Sequence, residues 1–432
     1  MKIVAFLPAK GSSNRVPSKN LKLLDGKPLF LHTLEKLVDC DFIDEVYLDT
    51  ESAEIIDYAS EIDCNILKRD PELATNKTDG NRLFYNEVIS VEADIYIQIL
   101  GTSPFIDIET IRKGIEAIKD TDNYDSAVLV KNEKQYTWTG SAPKYNIESI
   151  PNSVDLPSTI IETMGLYIVK ASAAKRTKRR IGDKPYLLEA SPLDALDVNW
   201  PEEFELANLI AAGLREKERK LFDNLKNLMT SSLLSDLLDD FGLKNQVISG
   251  YIPNFKEHSV LGRAKTLKLR KLKEDEDFKG IYNALYSYES IIPGDFIVVE
   301  NEVPEYAYFG ELNANLAIRS GAVGALISGK TRDELEVKST GFTVFSAGTN
   351  CQDVRGRATT ESINKQITIN KVSVLPGNLI YGDSEGVIVI PKSIEQQIIK
   401  EVVKRGHSEG MILSDISNGV AVGDLTRRYG FF

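Results

Sequence analysis

The stretch KIVAFLPAKGSSNRVPSKN, residues 2–20, decides the fold of the first half of this chain. Residues 2–7 are a largely apolar run of strand length, and they predict a buried first strand. A loop of small and cationic residues follows directly and leads to Lys19 and Asn20. Open α/β sheets bind their ligands at the carboxyl ends of their strands, so this loop is the predicted ligand site.

The loop carries groups that suit an anion. Gly11 and Ser12 have small side chains, so their backbone N–H groups can approach an anion closely. Lys10, Arg15 and Lys19 supply positive charge for phosphates. The same composition also suits an ordinary strand-to-helix loop with solvated lysines, and a short glycine-containing motif does not by itself separate the two interpretations.

Length and charge narrow the function classes. The chain has 432 residues, enough for two domains with full cores, and its net charge of −12 argues against a surface that binds nucleic acid. No apolar run reaches the length of a membrane span, and the N-terminus lacks a signal-peptide pattern. We therefore expect neither a nucleic-acid partner nor a membrane partner.

Cysteine and histidine are scarce and scattered. The three cysteines, Cys40, Cys64 and Cys351, form no Cys-x-x-Cys pair, which disfavours a disulfide framework and a thiolate zinc site and indicates the reducing cytoplasm. The three histidines are equally dispersed. Metal chemistry in this chain would therefore use carboxylates and a hard cation such as Mg²⁺.

The first half alternates strand-like and helix-like segments, which predicts an α/β fold with a mostly parallel sheet wrapped by helices. The predicted strands are residues 4–7, 45–49, 94–100, 126–130 and 165–169, and the predicted helices are residues 29–38, 54–61, 80–91 and 108–118.

A second domain is predicted to follow. Residues 202–228 form a charged helical pattern that we interpret as a connector, and the boundary is predicted near residue 216, giving domains 1–215 and 216–432. The second half then begins afresh, because residues 230–242 have the pattern of a capped helix ended by glycine.

The N-terminal loop resembles the signature of the CMP-sugar synthetases, the acylneuraminate and 3-deoxy-manno-octulosonate cytidylyltransferases. Their pattern is roughly Pro-Ala-Arg-Gly-Gly-Ser-Lys-Gly-Ile-Pro-x-Lys-Asn. Here Lys10 takes the place of the arginine, Asn14 that of the lysine and Arg15 that of a glycine, while Lys19 and Asn20 match. The resemblance implies a Rossmann-like nucleotide-diphospho-sugar transferase fold that transfers CMP from CTP to an acidic 2-keto-3-deoxy sugar and releases pyrophosphate.

Further segments carry the same resemblance. Residues 69–74, Arg-Asp-Pro-Glu-Leu-Ala, resemble the family's Arg-Pro-x-x-Leu-Ala, and residues 100–105 stand where the family has Gln-Pro-Thr-Ser-Pro-Leu. Leu100 stands where the family has a glutamine that contacts the nucleotide base, and Ile106 stands where the family has an arginine. Both differences affect which acceptor or base the resemblance implies. The resemblance implies catalytic roles for Lys10, Arg15 and Lys19. It implies nucleotide contacts by Ala9, Gly11, Ser12, Asn20, Arg69, Thr102 and Ser103.

A metal site is predicted near the end of this half. Residues 195–204 resemble the family's Ile-Asp-Ile-Asp-x-x-x-Asp-Phe segment, with Asp197 at the first aspartate and Asn199 in place of the second. Residues i and i+2 of a strand face one side, so on a strand both side chains would reach one cation. The resemblance implies that the cation is Mg²⁺. The alternative for Asp197 is a helix N-cap or a surface turn.

The second half carries another candidate site. A glycine-rich helix start, a strand and an Arg-Asp pair follow one another over residues 309–333. Arg332 suits a carboxylate, which arginine binds bidentately, and Asp333 suits a hard cation. An exposed Arg–Asp turn pair is the alternative interpretation.

Residues 228–400 resemble the RraA-like family, which includes 4-hydroxy-4-methyl-2-oxoglutarate aldolases and oxaloacetate decarboxylases. The resemblance implies an α/β swivelling domain in which Arg332 binds the carboxylate of a 2-keto acid such as pyruvate or oxaloacetate, and Asp333 places Mg²⁺ or Mn²⁺. It also implies substrate contacts by Gly310 and Asn313. Ser328 replaces the family's aspartate just before this pair.

Together these features predict a bifunctional cytoplasmic homo-oligomer. Its first half would be a CTP-dependent CMP-sugar synthetase acting on an acidic sugar, and its second half a metal-dependent keto-acid lyase. Two alternatives stay open. In the first alternative, the second half is a non-catalytic regulatory or oligomerisation module. In the second alternative, the first half only senses nucleotide.

Overall fold

The computed structural model describes residues 1–13, 15–75 and 77–429, so Asn14 of the predicted loop lies outside the described residues. The chain divides into two compact units, Met1–Ala211 and Ala212–Phe432. This division falls within the helix Pro201–Leu225, which also contains the boundary predicted near residue 216. Each unit is described by itself below.

The N-terminal unit is built on a seven-stranded sheet. Its strands, in spatial order, are Pro185–Glu189, Ser126–Glu133, Thr159–Lys170, Ile95–Ile99, Ile3–Pro8, Glu45–Thr50 and Asn65–Lys68. Thr159–Lys170 runs antiparallel to both of its neighbours, and the other adjacent pairs are parallel. The prediction of a mostly parallel sheet is therefore confirmed, and the five predicted strands are all present.

The two strands that the sequence analysis did not predict lie at the two edges of this sheet. Asn65–Lys68 has mostly exposed side chains, and Pro185–Glu189 begins with a proline. Edge strands are commonly short and polar, so they lack the apolar run that identified the central strands.

Helices cover the sheet, and the four predicted ones are present. They are Leu29–Val38, Ala53–Tyr58, Gly80–Ser90 and Ile108–Lys119, followed by Ala171–Thr177 and the start of Pro201–Leu225, with short 3₁₀ turns at Lys19–Leu21, Pro71–Ala74 and Ser153–Asp155. Side chains of Asp79 and Asp107 cap two of the helices. The first strand is buried on both faces, because Ala5 and Leu7 pack in one apolar cluster and Phe6 in the other.

The C-terminal unit contains a nine-stranded mixed sheet. Eight strands lie in the order Val247–Ile248, Val387–Ile390, Leu379–Gly382, Val260–Lys271, Asp295–Asn301, Gly324–Ile327, Val344–Ser346 and Ile252–Pro253, and Ala358–Ile363 pairs with Val260–Lys271. The strands from Val260–Lys271 to Val344–Ser346 are parallel. Two antiparallel pairs flank them at Leu379–Gly382 and Ile252–Pro253.

Five helices of this unit are described after its boundary helix. They are Ser231–Asp240, Glu311–Ser320, Glu334–Ser339, Lys392–Ser417 and Val422–Tyr429, with 3₁₀ turns at Lys226–Leu228 and Phe278–Ser290. The predicted helix at residues 230–242 is confirmed, since Thr230 accepts the Leu233 N–H and Gly242 follows with a φ of 79°. In the part of the chain that the structure describes, no helix combines the length and apolarity needed to cross a bilayer.

Two smaller strand pairs complete the unit. Ile367–Ile369 pairs with Val372–Val374, and Ala307–Phe309 runs parallel to Lys330–Thr331. The second pair matters for the candidate site, because it brings the helix start at Gly310 beside Arg332.

Candidate functional site

The predicted loop leaves the first strand next to a neighbouring strand end. The Ala9 N–H donates to the Asp49 carbonyl oxygen at 2.9 Å. The Gly11 N–H donates to Oε1 of Glu51 at 2.8 Å, and a Cβ at Gly11 would lie 2.8 Å from that of Ser52. A side chain is therefore excluded at Gly11, and a phosphate that used this N–H would have to displace the Glu51 carboxylate. Sequence analysis did not predict this contact.

Lys19 is a buried cation of this site, with 9% of its surface exposed. Its Nζ donates to the Val198 carbonyl oxygen at 2.7 Å. Burial lowers the pKa of Lys19 to about 8, while the nearby Asp197 carboxylate acts in the opposite direction. The fold thus brings Lys19 to the segment that carries Asp197, far away in the sequence.

Two more loop residues meet the same region. The Arg15 guanidinium lies 5.5 Å from the centre of the Trp200 ring. The Asn20 side-chain amide donates to the Lys10 carbonyl oxygen at 2.8 Å, which ties the two ends of the loop together. Ser12 is exposed on the loop. The structure therefore brings Lys19 and Arg15 to residues 198–200, while Asn20 binds Lys10 within the loop.

Asp197 and Asn199 lie in a loop between Pro185–Glu189 and Pro201–Leu225, so the strand expected for them is wrong. Their side chains still meet, because the Asn199 amide donates to Oδ2 of Asp197. The Ser103 hydroxyl donates to the other carboxylate oxygen at 3.4 Å, and the Val198 N–H donates to the Thr102 carbonyl at 2.8 Å. Asp197 and Asn199 are thus held together by hydrogen bonds to the loop at Thr102 and Ser103, and not by their positions on a strand.

The fit of these residues to Mg²⁺ can be judged from their donor atoms. Within residues 1–13, 15–75 and 77–429, no three His, Cys, Asp or Glu side chains converge as a ready cage. Mg²⁺ is commonly held by one or two carboxylates together with substrate phosphates and water. The Asp197 carboxylate and the Asn199 carbonyl oxygen are suitable ligands for that kind of site.

Arg69 is placed differently from the loop cations. It is 4% exposed and forms a buried ion pair with Asp49, with a nitrogen-to-oxygen distance of 2.9 Å. Its guanidinium also lies 4.0 Å from Glu51. The structure therefore joins Arg69 to the loop through Glu51, within a buried polar cluster.

The cluster continues into the sheet. Gln98 donates to the fully buried Glu87 at 2.6 Å, and burial together with Asp49 holds the pKa of Glu87 well above its usual range. Sequence analysis missed Asp49, Glu87 and Gln98 as members of this cluster. A polar residue within an apolar strand was the available signal for Asp49 and Gln98.

The C-terminal candidate residues Gly310, Arg332 and Asp333 do converge. A Cβ at Gly310 would lie 2.6 Å from Oδ2 of Asp333 and 3.0 Å from Cγ of Arg332. The Arg332 guanidinium forms a 2.9 Å ion pair with Asp353, a residue that sequence analysis missed, and lies 3.5 Å from Asp333. The arrangement is a half-exposed arginine between two carboxylates.

A cavity of about 270 Å³ opens beside Arg332. Thr331, Ser346 and Thr349 contribute polar groups to its wall, and Phe309 and Val344 contribute apolar surface. Asn313 is directed elsewhere, since its amide donates to the Tyr288 hydroxyl at 3.1 Å. The Ser328 hydroxyl oxygen accepts a hydrogen bond from the Tyr251 hydroxyl at 3.3 Å.

Each unit contains a segment that matches a protein-family model. Residues 4–146 match the family model described as "Cytidylyltransferase", and residues 231–389 match the one described as "Aldolase/RraA". A "putative 4-hydroxy-4-methyl-2-oxoglutarate aldolase" of Halalkalibacterium halodurans is 30% identical over 176 residues, which cover 40% of this chain and 79% of that protein.

Two relatives come from Legionella pneumophila. The CMP-N,N'-diacetyllegionaminic acid synthase is 35% identical over 127 residues, which cover 28% of this chain and 55% of the synthase. Protein DlpA is 25% identical over 204 residues, which cover 46% of this chain and 33% of DlpA. This chain therefore spans a third to about half of the length of these two relatives.

Proposed function

The chain belongs to the cytidylyltransferase family through residues 4–146 and to the Aldolase/RraA family through residues 231–389, and from this premise we propose that its N-terminal unit is a CMP-sugar synthetase. It would transfer CMP from CTP to an acidic 2-keto-3-deoxy sugar and release pyrophosphate. The observation that carries this proposal is the meeting of Lys19 with Val198 and Asp197 at the predicted loop.

In the proposed reaction, a hydroxyl oxygen of the sugar acid bonds to the α-phosphorus of CTP and its proton passes to water, while pyrophosphate leaves with the electron pair of the broken P–O bond. Lys10, Arg15 and Lys19 would hold the triphosphate and stabilise the charge that develops on the leaving group. Asp197 and Asn199 would hold Mg²⁺, which supplies further stabilisation of phosphate charge when it is bound. Positioning and electrostatics would provide most of the rate enhancement.

The acceptor is proposed as an acidic sugar of the nonulosonate or octulosonate type. The name of the Legionella synthase supports this class, because it specifies a legionaminic acid derivative as the activated sugar. Leu100 and Ile106 are both apolar here, and Ile106 is fully buried. These two positions therefore distinguish this chain from the pattern of the family it resembles.

For the C-terminal unit we propose a metal-dependent keto-acid lyase as the second activity. The cavity beside Arg332 favours it, because a guanidinium at a cavity wall can bind the carboxylate of pyruvate or oxaloacetate. Asp333 would help to hold Mg²⁺ or Mn²⁺. A keto acid would have to displace Asp353 from Arg332, so a regulatory or oligomerisation role for this unit is the competing proposal.

A homo-oligomer is part of the proposal. Residues 138–160 expose several large apolar side chains, namely Trp138, Ile147, Ile150, Val154 and Ile160, each more than half exposed. Apolar surface of this kind is typical of protein contacts, and a second copy of the chain is the simplest occupant. We place the reaction in the cytoplasm, which agrees with the three free cysteines.

The proposal is tested by pyrophosphate release from the full-length protein with Mg²⁺. Each of the four nucleoside triphosphates is combined with a panel of 2-keto-3-deoxy sugar acids. We expect release that requires CTP and one acid and is lost in Lys19→Ala, while Lys22→Ala serves as a matched control at an exposed lysine of the same segment. Tight CTP binding without release for any acid would instead favour a nucleotide sensor.

A further inference from the structure

Asp194 is a buried carboxylate that lies three residues before Asp197 in the sequence. Only 3% of its surface is exposed. Its Oδ1 accepts the Asp107 N–H at 2.7 Å, and its Oδ2 accepts the Ser191 N–H and the Thr110 hydroxyl, both at 3.0 Å. Two backbone groups and one hydroxyl thus replace water around a carboxylate that would otherwise be costly to bury.

These hydrogen bonds join two segments that are far apart in the sequence. Two of the donors lie at the start of the helix Ile108–Lys119, and the third, Ser191, opens the turn that leads to Asp197. The Ala195 N–H closes this turn by donating to the Ser191 carbonyl at 3.0 Å. Asp194 therefore fastens a closed turn to the start of the helix.

The carboxylate and the amide that we propose for Mg²⁺ follow this turn directly. Their segment is attached to the loop that leads into the same helix, because the Val198 N–H donates to the Thr102 carbonyl at 2.8 Å and the Ser103 hydroxyl donates to Asp197 at 3.4 Å. Asp194 supplies a second attachment between the same two segments. A segment attached at one place can still rotate, whereas a second attachment also fixes its orientation.

The loop that receives this segment is itself held from the helix Leu29–Val38. Lys36 of that helix donates from its Nζ to the Pro104 carbonyl at 3.0 Å and to the Ile106 carbonyl. The Ile106 side chain is fully buried. Since these contacts fix the loop, the orientation of Asp197 depends on how its own segment is attached to the loop and to the helix start.

We propose that Asp194 is a positioning residue that holds Asp197 and Asn199 in the orientation in which both bind one Mg²⁺ ion. This inference rests on the proposed CMP-sugar synthetase function and on the Mg²⁺ site that belongs to it. A carboxylate suits the role because its two oxygens accept all three hydrogen bonds, whereas an amide would turn its NH₂ group toward one of the donors.

The test compares Asp194→Asn with the wild-type full-length protein by calorimetric titration with CTP, once in Mg²⁺ and once in EDTA. We expect the Kd for CTP in Mg²⁺ to rise by about 10- to 100-fold, the usual effect of losing a group that orients metal ligands. The Kd in EDTA should change less than about twofold, because the loop cations that bind the triphosphate are untouched.

Steady-state kinetics of pyrophosphate release should show a corresponding split. In Asp194→Asn the apparent KM for Mg²⁺ should rise by about 10- to 100-fold. The value of kcat at saturating Mg²⁺ should fall less than about threefold, because excess metal restores the occupied site. A variant that was merely unfolded in part would lose kcat at every Mg²⁺ concentration.

A further readout needs neither metal nor activity. Hydrogen exchange of the peptide that contains Val198 is measured by mass spectrometry on the metal-free protein. It should be about 10-fold or more faster in Asp194→Asn, since loss of the second attachment lets the Val198 N–H leave the Thr102 carbonyl more often.

Thr110→Val is a milder second variant, which removes one hydroxyl donor and leaves both backbone donors in place. It gives a result even if Asp194→Asn does not fold. The Kd for CTP in Mg²⁺ should rise by about 3- to 10-fold, as expected for loss of one hydrogen bond to a charged group. An unchanged Kd in Thr110→Val would contradict the proposal.

Asp125→Asn is the matched control. The Asp125 carboxylate likewise accepts two backbone N–H groups, at 3.0 and 2.9 Å, and a hydroxyl, that of Ser126 at 3.1 Å, and it also pairs with Arg176. It lies at the amino end of the strand Ser126–Glu133, which runs parallel to Ile3–Pro8, so it is at the opposite end of the sheet from the predicted loop. Its replacement should lower stability but leave the Mg²⁺ dependence of CTP binding unchanged.

The outcomes separate this inference from the proposed function. Pyrophosphate release, with the Mg²⁺ dependence of CTP binding unchanged in Asp194→Asn, would support the synthetase and refute the role of Asp194. Mg²⁺-dependent CTP binding that Asp194→Asn weakens, in a protein that releases no pyrophosphate with any acid, would support Asp194 and refute the synthetase. An equal loss in Asp125→Asn, or a wild type whose CTP binding ignores Mg²⁺, would overturn the assignment.

Discussion

Lys19 shows how far burial changes the chemistry of a single residue. Its amine is held by the Val198 carbonyl with little access to water, and its pKa is lowered to about 8. The folded chain therefore binds fewer protons at this lysine than the unfolded chain does between pH 8 and the ordinary lysine pKa of 10.5. By linkage, the contribution of Lys19 to the free energy of unfolding rises with pH in this window.

Binding of CTP should show the opposite pH dependence, because only protonated Lys19 attracts the triphosphate. We predict that kcat/KM for CTP falls as pH rises through about 8, the pKa of Lys19 in the free protein. The measurement is a pH profile of pyrophosphate release at subsaturating CTP. Lys19→Met should have low activity and should lack this limb of the profile.

Lys22→Met is the control for that profile, since the Lys22 side chain is exposed and its ammonium lies 4.4 Å from the centre of the Phe204 ring. Its profile should match the wild type. If Lys19→Met kept the decline near pH 8, the titrating group would be another residue, and the assignment of the limb to Lys19 would be wrong.

At the scale of elements, the helix Glu311–Ser320 begins after Gly310, whose lack of a side chain lets Arg332 and Asp333 lie close to the helix start. Gly310 has a φ of −148°, so its backbone conformation would accept any residue. What requires glycine is the close approach of Arg332 and Asp333. The parallel pairing of Ala307–Phe309 with Lys330–Thr331 produces this approach.

We therefore predict that Gly310→Ala destabilises the protein by about 1–3 kcal/mol, the usual cost of an overpacked site, and displaces Arg332 from Asp333. The measurement is chemical unfolding of the full chain, followed by assay of keto-acid cleavage. Gly213→Ala is the matched control. Gly213 lies within the helix Pro201–Leu225 with open space around its Cβ position.

The control substitution should stabilise the protein by about 0.5–1 kcal/mol, because alanine is the better helix former. If Gly310→Ala had the same stabilising effect as Gly213→Ala, the contact between Gly310 and the Arg-Asp pair would not exist in solution.

At the scale of the whole molecule, the two units each have their own sheet, core and candidate site. Chemistry in one unit should therefore survive loss of a charged side chain in the other. We predict that Lys19→Met lowers pyrophosphate release by about 10²- to 10³-fold, as for loss of one preorganised charge donor. Its oxaloacetate decarboxylation should stay within about twofold of the wild type, since sites that share no partner residues act independently.

Arg332→Met should show the reverse pattern in the same two assays, so each variant is the control of the other. Loss of both activities in either variant would contradict independent sites. A wild type without decarboxylation, in which Arg332→Met alters only the oligomeric state, would favour the assembly role of the C-terminal unit.

Much of this molecule follows from local sequence patterns. Apolar residues predicted the central strands, such as Ile3–Pro8, and the periodicity of Leu29–Val38 and Ile108–Lys119 predicted helices, because these signals act between residues a few positions apart. The edge strands Asn65–Lys68 and Pro185–Glu189 lack the signal and were missed. The loop at residues 9–20 was identifiable because its small and cationic residues follow a strand directly.

The sequence by itself determined the central strands and the main helices of the N-terminal unit, and which residue types are available for phosphate, carboxylate and metal. Only the tertiary structure decided that Glu51 accepts the Gly11 N–H, that Asp353 pairs with Arg332, and that Asp194 accepts the Asp107 N–H. Each contact joins residues that are well separated in the chain. Side-chain periodicity carries no information on such pairs, since they depend on strand order and loop path rather than on local conformation.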